Sequence, residues 1–403
     1  MRRPSPLVMV LCILFFDMLC QGMAYPSMPS LIQKLGGLTP AEAARLYGWL
    51  IASYAIAELI GAPTLGILSD RFGRKPILVL SCISASVSFL ISATAQSVPV
   101  LFVGYTLAGL TSAMTVVGNA TIADISAPED RATNYGRVGA VFGIGFVVGP
   151  AAGSLLAPLG LRAAFFAASG VMAVAAVLAL VFMTETRKST KESAFSWQEV
   201  LPWEGIRALA RYPLPKKLSL SVALNALSLQ MLIAVWVPYC SLRYGFGVAE
   251  NGWLLAGFGI VMAIGQAVVV PWLVPKLGLR RSLAVGLTIS ILCQTGYGLS
   301  ETWQWLLFFT AISALGGIDE PAMQAILVDP ISEEERGAVQ GGLASVNSLM
   351  GIVGPVLGAT LFATFTGLGA PVYLPGAPFL FGAVCIALGF AWSFWSLRST
   401  ISK

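Results

Sequence analysis

Histidine is absent from all 403 residues. That removes the commonest protein metal ligand and the one side chain that ordinarily changes charge near neutral pH, so any proton chemistry has to run on carboxylates. Charge of either sign is scarce. Asp, Glu, Lys and Arg together make up 11% of the chain, against about 25% in ordinary soluble domains. Cysteine is few and unpaired in pattern: Cys12, Cys20, Cys82, Cys240, Cys293 and Cys385 all fall inside apolar runs without a recurring spacing. They read as small packing residues and not as a disulfide or metal framework. No nucleophile–base pair, metal-ligand cluster or phosphate-cradling glycine loop is found. No enzyme activity, cofactor, metal or ATP-driven step is therefore expected.

What fills the chain instead is apolar sequence, 57% of residues with a mean hydropathy of +0.81. Crossing about 30 Å of hydrocarbon takes roughly 20 such residues in a helix. Twelve segments meet that length, at about 6–31, 46–69, 76–95, 98–124, 135–157, 162–183, 218–240, 250–274, 281–299, 303–328, 338–362 and 375–397. They are too long and uniform for the alternating strands of a membrane barrel, so the expected fold class is all-α membrane. The first run follows Met1-Arg2-Arg3 as a secretory signal would. It is long, lacks a small-residue cleavage site and carries Asp17 at its middle, so it is read as a retained helix.

The net charge of +5 is read as a topology signal, with no nucleic-acid partner implied. With both termini placed in the cytoplasm, Lys34, Arg45, Arg162 and Arg243 fall outside, and the remainder of the 24 Lys and Arg residues fall inside. That imbalance sets the orientation by the positive-inside rule. The longest polar stretch divides the spans six and six. It predicts an N-terminal bundle over 1–184, a basic cytoplasmic linker over 185–217 with no separate domain, and a C-terminal bundle over 218–403.

The two bundles are copies. Adding 205 to Asp124, Arg131, Gly136, Gly149, Pro150 and Gly153 gives Asp329, Arg336, Gly341, Gly354, Pro355 and Gly358, an identity each time. The same offset takes Gly73 to Gly278, each within a basic loop. Parallel repeats of this kind place a solute site at the repeat interface near the bilayer midplane.

Three motifs carry a resemblance. Between spans 2 and 3 runs Gly66-Ile67-Leu68-Ser69-Asp70-Arg71-Phe72-Gly73-Arg74-Lys75-Pro76, in which Gly66 permits close helix approach and Arg71, Arg74 and Lys75 await acidic partners. Span 5 carries Gly139, Gly143, Gly145, Gly149-Pro150 and Gly153, small residues that let helices approach closely in lipid. Span 1 carries Asp17, Gly22, Pro26 and Pro29. These resemble the signature loop of the major facilitator superfamily, the span-5 motif of its drug:proton antiporters, and the opening helix of the bacterial tetracycline/proton antiporters. Further matches are Tyr47-Gly48-Trp49-Leu50, Ala62-Pro63, Gly316-Gly317-Ile318, Pro321-Ala322-Met323-Gln324-Ala325 and Gly341-Gly342-Leu343-Ala344. The resemblance implies a transporter working by alternating access, with the loop at Gly66–Pro76 acting as a conformational latch and a monomer as the default.

Departures from that family fall on its working residues. Tyr105 stands where the family has an arginine, Met262 where it has a histidine and Ser88 where it has an aspartate, and span 9 holds no acid. The acids that do lie deep in spans are Asp17, Glu58, Asp319 and Glu320. Each costs about 3 kcal/mol at mid-membrane unless it is neutralised or faces water, so each is a functional candidate. Glu58 shares a helix face with Tyr54 four residues earlier. Asp319 and Glu320 diverge by about 100°, so at most one faces a central site, and Pro321 is placed to unwind that turn. Asn119, Asn225, Gln230 and Gln266 are neutral polar candidates for lining the same site, and interhelical hydrogen bonds account for them equally well. Asp124 and Asp329, near helix ends, are expected to pair with Arg131 and Arg336.

The expected function is transport of a small organic solute, amphipathic or cationic, coupled to protons or another ion, in a bacterial inner membrane. Efflux follows from the resemblance, and the same acids would serve an importer of a siderophore, peptide or metabolite. A receptor on a transporter scaffold is a further class, disfavoured by the latch loop and the unpaired acids.

Overall fold

The computed structural model describes residues 5–187, 202–328 and 331–401, and these are helical throughout with no strand among them. Among the described residues, twelve helices are long and apolar enough to cross a membrane. They are α1 (Pro6–Gly36), α2 (Pro40–Phe72), α3 (Arg74–Thr94), α4 (Val98–Ile125), α5 (Pro128–Leu159), α6 (Ala163–Phe182), α7 (Pro213–Tyr244), α8 (Val248–Leu277), α9 (Leu279–Leu299), α10 (Trp303–Val328), α11 (Glu335–Thr366) and α12 (Ala377–Leu397). Each corresponds to one of the twelve apolar runs. Of the linker, 188–201 lie outside the described residues. The remainder contains a short helix, Pro202–Ala210, whose Gly205 sits against α11 with room for no side chain: a Cβ there would lie 3.0 Å from the Gly341 carbonyl.

The helices gather into two compact units. One comprises Met1–Leu38, Ser53–Leu201 and Gly247–Gly257, the other Thr39–Ala52, Pro202–Phe246 and Phe258–Lys403. In the first, α1 packs on α5 and α6, and α3 packs on α6. Its core holds Val10, Ile13, Leu14, Leu78, Val117, Ile122, Ala168 and Met172. In the second, α7 packs on α11 and α12, and α9 on α12, around Leu218, Leu283, Leu287, Leu343 and Ile386. The offset of 205 maps each pairing of the first unit onto its counterpart in the second. The first turns of α2 and α8 belong to the unit opposite the rest of their helices, and glycine explains both. A Cβ at Gly48 would collide with Ala359 Cβ and the Pro355 carbonyl of α11. One at Gly252 would collide with Ser154 and the Pro150 carbonyl of α5, the same two acceptor positions one repeat earlier.

The span-5 motif is a packing surface against α1. A Cβ at Gly145 would lie 2.6 Å from Met18 Cβ, one at Gly149 2.8 Å from the Leu19 carbonyl and 2.9 Å from Gly22 Cα, and one at Gly153 2.6 Å from the Met23 carbonyl. The Pro150 ring lies against Gly22 in turn. The repeat copy does the same, with Gly354 and Gly358 seated on Gln230 and Met231 of α7. Gly139 and Gly143 differ from expectation: nothing lies within 4 Å of where their Cβ atoms would be. They are on the face of α5 turned away from α1.

Two helices lose helical structure altogether at equivalent places. Regular α-helix in α4 stops at Leu110 and resumes at Met114, and in α10 it stops at Gly316 and resumes at Asp319. The repeat offset carries 111–113 onto 316–318, so the interruption was present in the duplicated unit. Pro321 is not its cause, since it sits in the first turn of the resumed segment, where its missing N–H costs nothing. The basic-loop glycines are likewise equivalent, both at positive φ, +102° at Gly73 and +75° at Gly278. Arg162 donates to the carbonyls of Ala93 (3.0 Å) and Ala95 (2.6 Å) at the end of α3. Arg243 reaches the Ser300 carbonyl (3.4 Å) at the equivalent end of α9, so two of the four cations assigned to the outer face satisfy orphan helix carbonyls.

Gly149→Ala forces a methyl group onto backbone atoms that cannot rotate away, and should cost about 1–3 kcal/mol, seen as a lower melting temperature in detergent. Gly139→Ala, with open space and better helix propensity, should leave the melting temperature unchanged or slightly raised. Equal losses in both would contradict the packing assigned to the motif.

Candidate functional site

Glu58 is on α2, half-buried beside the interruption of α4. The Ser112 hydroxyl, inside that interruption, donates to Glu58 Oε1 at 2.8 Å. The Tyr54 hydroxyl lies 3.0 Å from Ser112 Oγ and 3.4 Å from the same carboxylate oxygen. The partners bonded to this acid are hydroxyls, not a cation. The ring of Tyr105, from α4, meets Tyr54 edge-on at 6.4 Å between centroids, so the tyrosine bonded to the acid is backed by a second ring. The approach depends on glycine: a Cβ at Gly61 would strike the Leu110 carbonyl, and one at Gly109 the Tyr54 carbonyl. Asp17 is buried in α1 at 7% exposure, and Gln21 Nε2 donates to its Oδ1 at 3.0 Å. Asn119 is half-buried on α4, its side-chain oxygen without a hydrogen-bond partner.

In the second unit the two adjacent acids separate as their 100° divergence requires. Asp319 is buried, also at 7% exposure, and Glu320 is exposed. Ser290 of α9 donates to Asp319 Oδ2 at 3.2 Å, and the Glu320 N–H donates to Oδ1 at 2.7 Å. Gln266 lies in a π-helical turn of α8, Gly265–Val269. Its Nε2 donates to the Gly317 carbonyl inside the α10 interruption at 3.3 Å. Gln266 thus satisfies a carbonyl freed by the broken helix. Gln230 is half-buried on α7 against Gly351 and Gly354 of α11, and Asn225, one turn earlier, is also half-buried.

The loop after α2 is closed by a charge network in the first unit. Arg74, 4% exposed, reaches Asp70 Oδ1 at 2.8 Å, Asp124 Oδ2 at 2.9 Å and Ser69 Oγ at 2.6 Å. Arg187 adds a second contact to Asp70 at 3.0 Å. Glu185 accepts the backbone N–H groups of Arg74 (2.9 Å), Thr186 (3.0 Å) and Arg187 (3.0 Å) on Oε1 and of Lys75 (3.1 Å) on Oε2. A Cβ at Gly73 would collide with Glu185, which with its positive φ requires glycine. Ser69 in turn donates to the Gly66 carbonyl at 2.6 Å, and Gly66 lets α4 approach, since a Cβ there would lie 3.2 Å from Val116. Arg71 lies over the ring of its neighbour Phe72 at 5.6 Å and stands exposed.

One expectation is corrected here. Asp124 pairs with Arg74 and not with Arg131, because α3 begins alongside the end of α4 while Arg131 opens α5 facing out. Asp329, its repeat copy, lies outside the described residues, and Arg336 bonds the Ile331 carbonyl. Ser112, Ser290, Glu185 and Arg187 were not singled out from sequence. For Ser112 a signal existed, since the repeat offset carries it onto Gly317 of the noted Gly316-Gly317-Ile318 run. Glu185 and Arg187 looked like part of a generic polar linker, and nothing local marks them.

Interrupted helices that carry polar and acidic groups inside a membrane are a construction of solute transporters, and that is the class this fold defines. The chain belongs to the Major Facilitator Superfamily, whose profile matches residues 10–216 and 218–400. It is 32% identical over 397 residues to the class C tetracycline resistance protein of Escherichia coli, covering 94% of this chain and 97% of the relative. To multidrug resistance protein 2 of Bacillus subtilis it is 30% identical over 370 residues, 88% of each chain. A bacterial homologue of the human lysosomal transporter Spinster, solved inward-facing and unoccupied, shares the fold with a TM-score of 0.79 at 18% identity, over 98% of this chain and 97% of the other.

Partial burial alone would push the Glu185 carboxyl up, but the four backbone N–H groups of Arg187, Arg74, Lys75 and Thr186 outweigh it and hold it below the usual glutamate range. A depressed value stabilises the fold above the ordinary range, about pH 4.3, and that contribution is lost as pH falls through the lower folded value. Glu185→Gln should therefore melt at a lower temperature than wild type at pH 7, with the gap narrowing below about pH 4. An equal gap at both ends of the pH range would contradict the assignment.

Proposed function

We propose that the chain exports an amphipathic or cationic small molecule in exchange for protons, by alternating access in a bacterial inner membrane. The observation that carries this reading is Glu58, a half-buried carboxylate whose bonded partners are the Ser112 and Tyr54 hydroxyls, with the Tyr105 ring packed on Tyr54. Such an acid takes a cationic group when it gives up its proton and regains the proton when the solute leaves. With no histidine in the chain, the exchange has to run on acids, and Asp17 is placed on α1 to share it. Cationic solutes are favoured further by the Tyr54 and Tyr105 rings, whose faces attract positive charge.

The direction of transport is supported by relatives named for tetracycline and multidrug resistance. A solute other than tetracycline is supported by Tyr105, Met262 and Ser88 at positions where the tetracycline antiporters carry charged or titratable groups. The excess of Lys and Arg on one side supports cytoplasmic termini. The halves 1–184 and 218–403 are the moving bodies of this reading, a monomer is its working form, and the Gly66–Pro76 loop with its Arg74 network is its latch.

Proteoliposomes with an imposed pH gradient test it. A panel of lipophilic cations should include solutes that discharge the gradient through wild type. Glu58→Gln should slow that discharge by at least about tenfold, the scale of losing one hydrogen-bonded charge. Solute flux without proton movement would remove antiport, and undiminished coupling in Glu58→Gln would remove Glu58 from it.

A further inference from the structure

We propose that two carboxylate stations beside the interrupted helices have different duties: Glu58, on α2 against the α4 interruption, meets the solute, while Asp319, at the α10 interruption, takes only the proton. This rests on the export reading above and adds to the exchange at Glu58 a second acid that carries a proton alone.

The argument is the contrast in access. Glu58 is half-buried, with the Ser112 and Tyr54 hydroxyls both on one oxygen and the Tyr105 ring packed on Tyr54. Asp319 has both oxygens occupied, by the Ser290 hydroxyl and the Glu320 N–H. Helix α9 closes over it so tightly that a Cβ at Gly286 would lie 2.7 Å from both Asp319 Cβ and its backbone nitrogen, and 2.8 Å from the Gly316 carbonyl. Helix α8 grips the other side of the break, with Gln266 on the Gly317 carbonyl and Gly265 so near that a Cβ would lie 2.7 Å from the Ala314 carbonyl. At 7% exposure, with each oxygen already bonded, this acid offers little surface to an organic group, and a proton needs none. The repeat offset pairs Asp319 with Met114 and Glu58 with Ala263. The two acids were therefore not copied from one another, and each unit acquired its own at its own interruption.

The consequence of protonation follows from hydrogen-bond roles. Ionised, Asp319 accepts from the Ser290 hydroxyl and from the Glu320 N–H of the resumed helix. Protonated, it gains a donor, loses an acceptor site and relaxes its hold on both. The interrupted turn of α10 is thereby tied to the protonation state of one side chain. The charged neighbour is the exposed Glu320. On α9, Cys293 and Tyr297 lie one and two turns beyond Ser290, and Arg280 and Arg281 open the helix. The other packed helices carry their charges near their ends, Lys216, Lys217 and Arg243 on α7, Glu250 and Lys276 on α8, and Glu335 and Arg336 on α11.

Difference infrared spectroscopy of the whole protein in lipid reads this without relying on export. Lowering the pH should raise a protonated-carboxyl band that is missing in Asp319→Asn and present in Glu58→Gln. Adding tetraphenylphosphonium should perturb the band missing in Glu58→Gln and leave the Asp319 band unmoved. Ser290→Ala, which keeps the acid, should shift the pH at which the Asp319 band appears. In vesicles, Asp319→Asn should keep solute exchange without a gradient and lose gradient-driven accumulation. The assignment is overturned if the Asp319 band is absent from wild type, if the cation displaces it, or if Asp319→Asn still accumulates solute against a gradient. It is equally overturned if sodium, and not acid, perturbs Asp319. Wild-type vesicles that move solute without protons, with the Asp319 band behaving as stated, would instead count against the export reading.

Discussion

A peptide group without a hydrogen-bond partner costs several kcal/mol in hydrocarbon, and this constraint shapes the chain more than any other. Twelve uninterrupted helices would satisfy it at once. Helices α4 and α10 break it at equivalent places, and polar side chains gather at both breaks. Ser112 turns its hydroxyl from the α4 break to Glu58. The freed Gly317 carbonyl of α10 is met by Gln266, and the resumed turn begins on Asp319, which accepts the next N–H. The polar and acidic residues of the spans are therefore gathered where the backbone already needs them. Glu58, Asp319 and Glu320 sit beside the costly backbone, while Asp17 lies within α1 and bonds Gln21.

Close packing makes those breaks tolerable. Glycines bring neighbouring helices to backbone distance at Gly61 and Gly109 around α4, and at Gly265 and Gly286 around α10. The same device joins α1 to α5 through Gly22, Gly145, Gly149 and Gly153. In lipid, where burying apolar side chains gains nothing, such contact is what holds helices together. The glycine-rich motif of α5 is thus explained as a surface complementary to α1, and residues of that helix facing elsewhere, such as Gly139, carry no such demand.

Much of this was legible in the sequence because membrane helices announce themselves by length and composition. All twelve spans, the duplication and the special glycines of both basic loops were readable, since a fixed offset and a positive-φ requirement both leave marks in residue identity. The acids were readable as candidates because charge is rare in spans. Their surroundings were not. Which of Asp319 and Glu320 turns inward depends on the phase of a helix restarted after a break. The partner of Asp124 depends on which helix ends meet, and proximity in sequence favoured Arg131 over Arg74. Glu185 and Arg187 lie 110 residues or more from the loop they close, beyond any local signal.

The central claim is that solute and proton compete for the same carboxylate. The most direct measurement is calorimetric titration of the detergent-solubilised protein with tetraphenylphosphonium in two buffers of different ionisation enthalpy. The account predicts heats that differ between buffers, reporting protons released as the cation binds, with the difference abolished in Glu58→Gln. Binding with the same heat in both buffers would show that no proton leaves when the cation arrives, and would contradict the account.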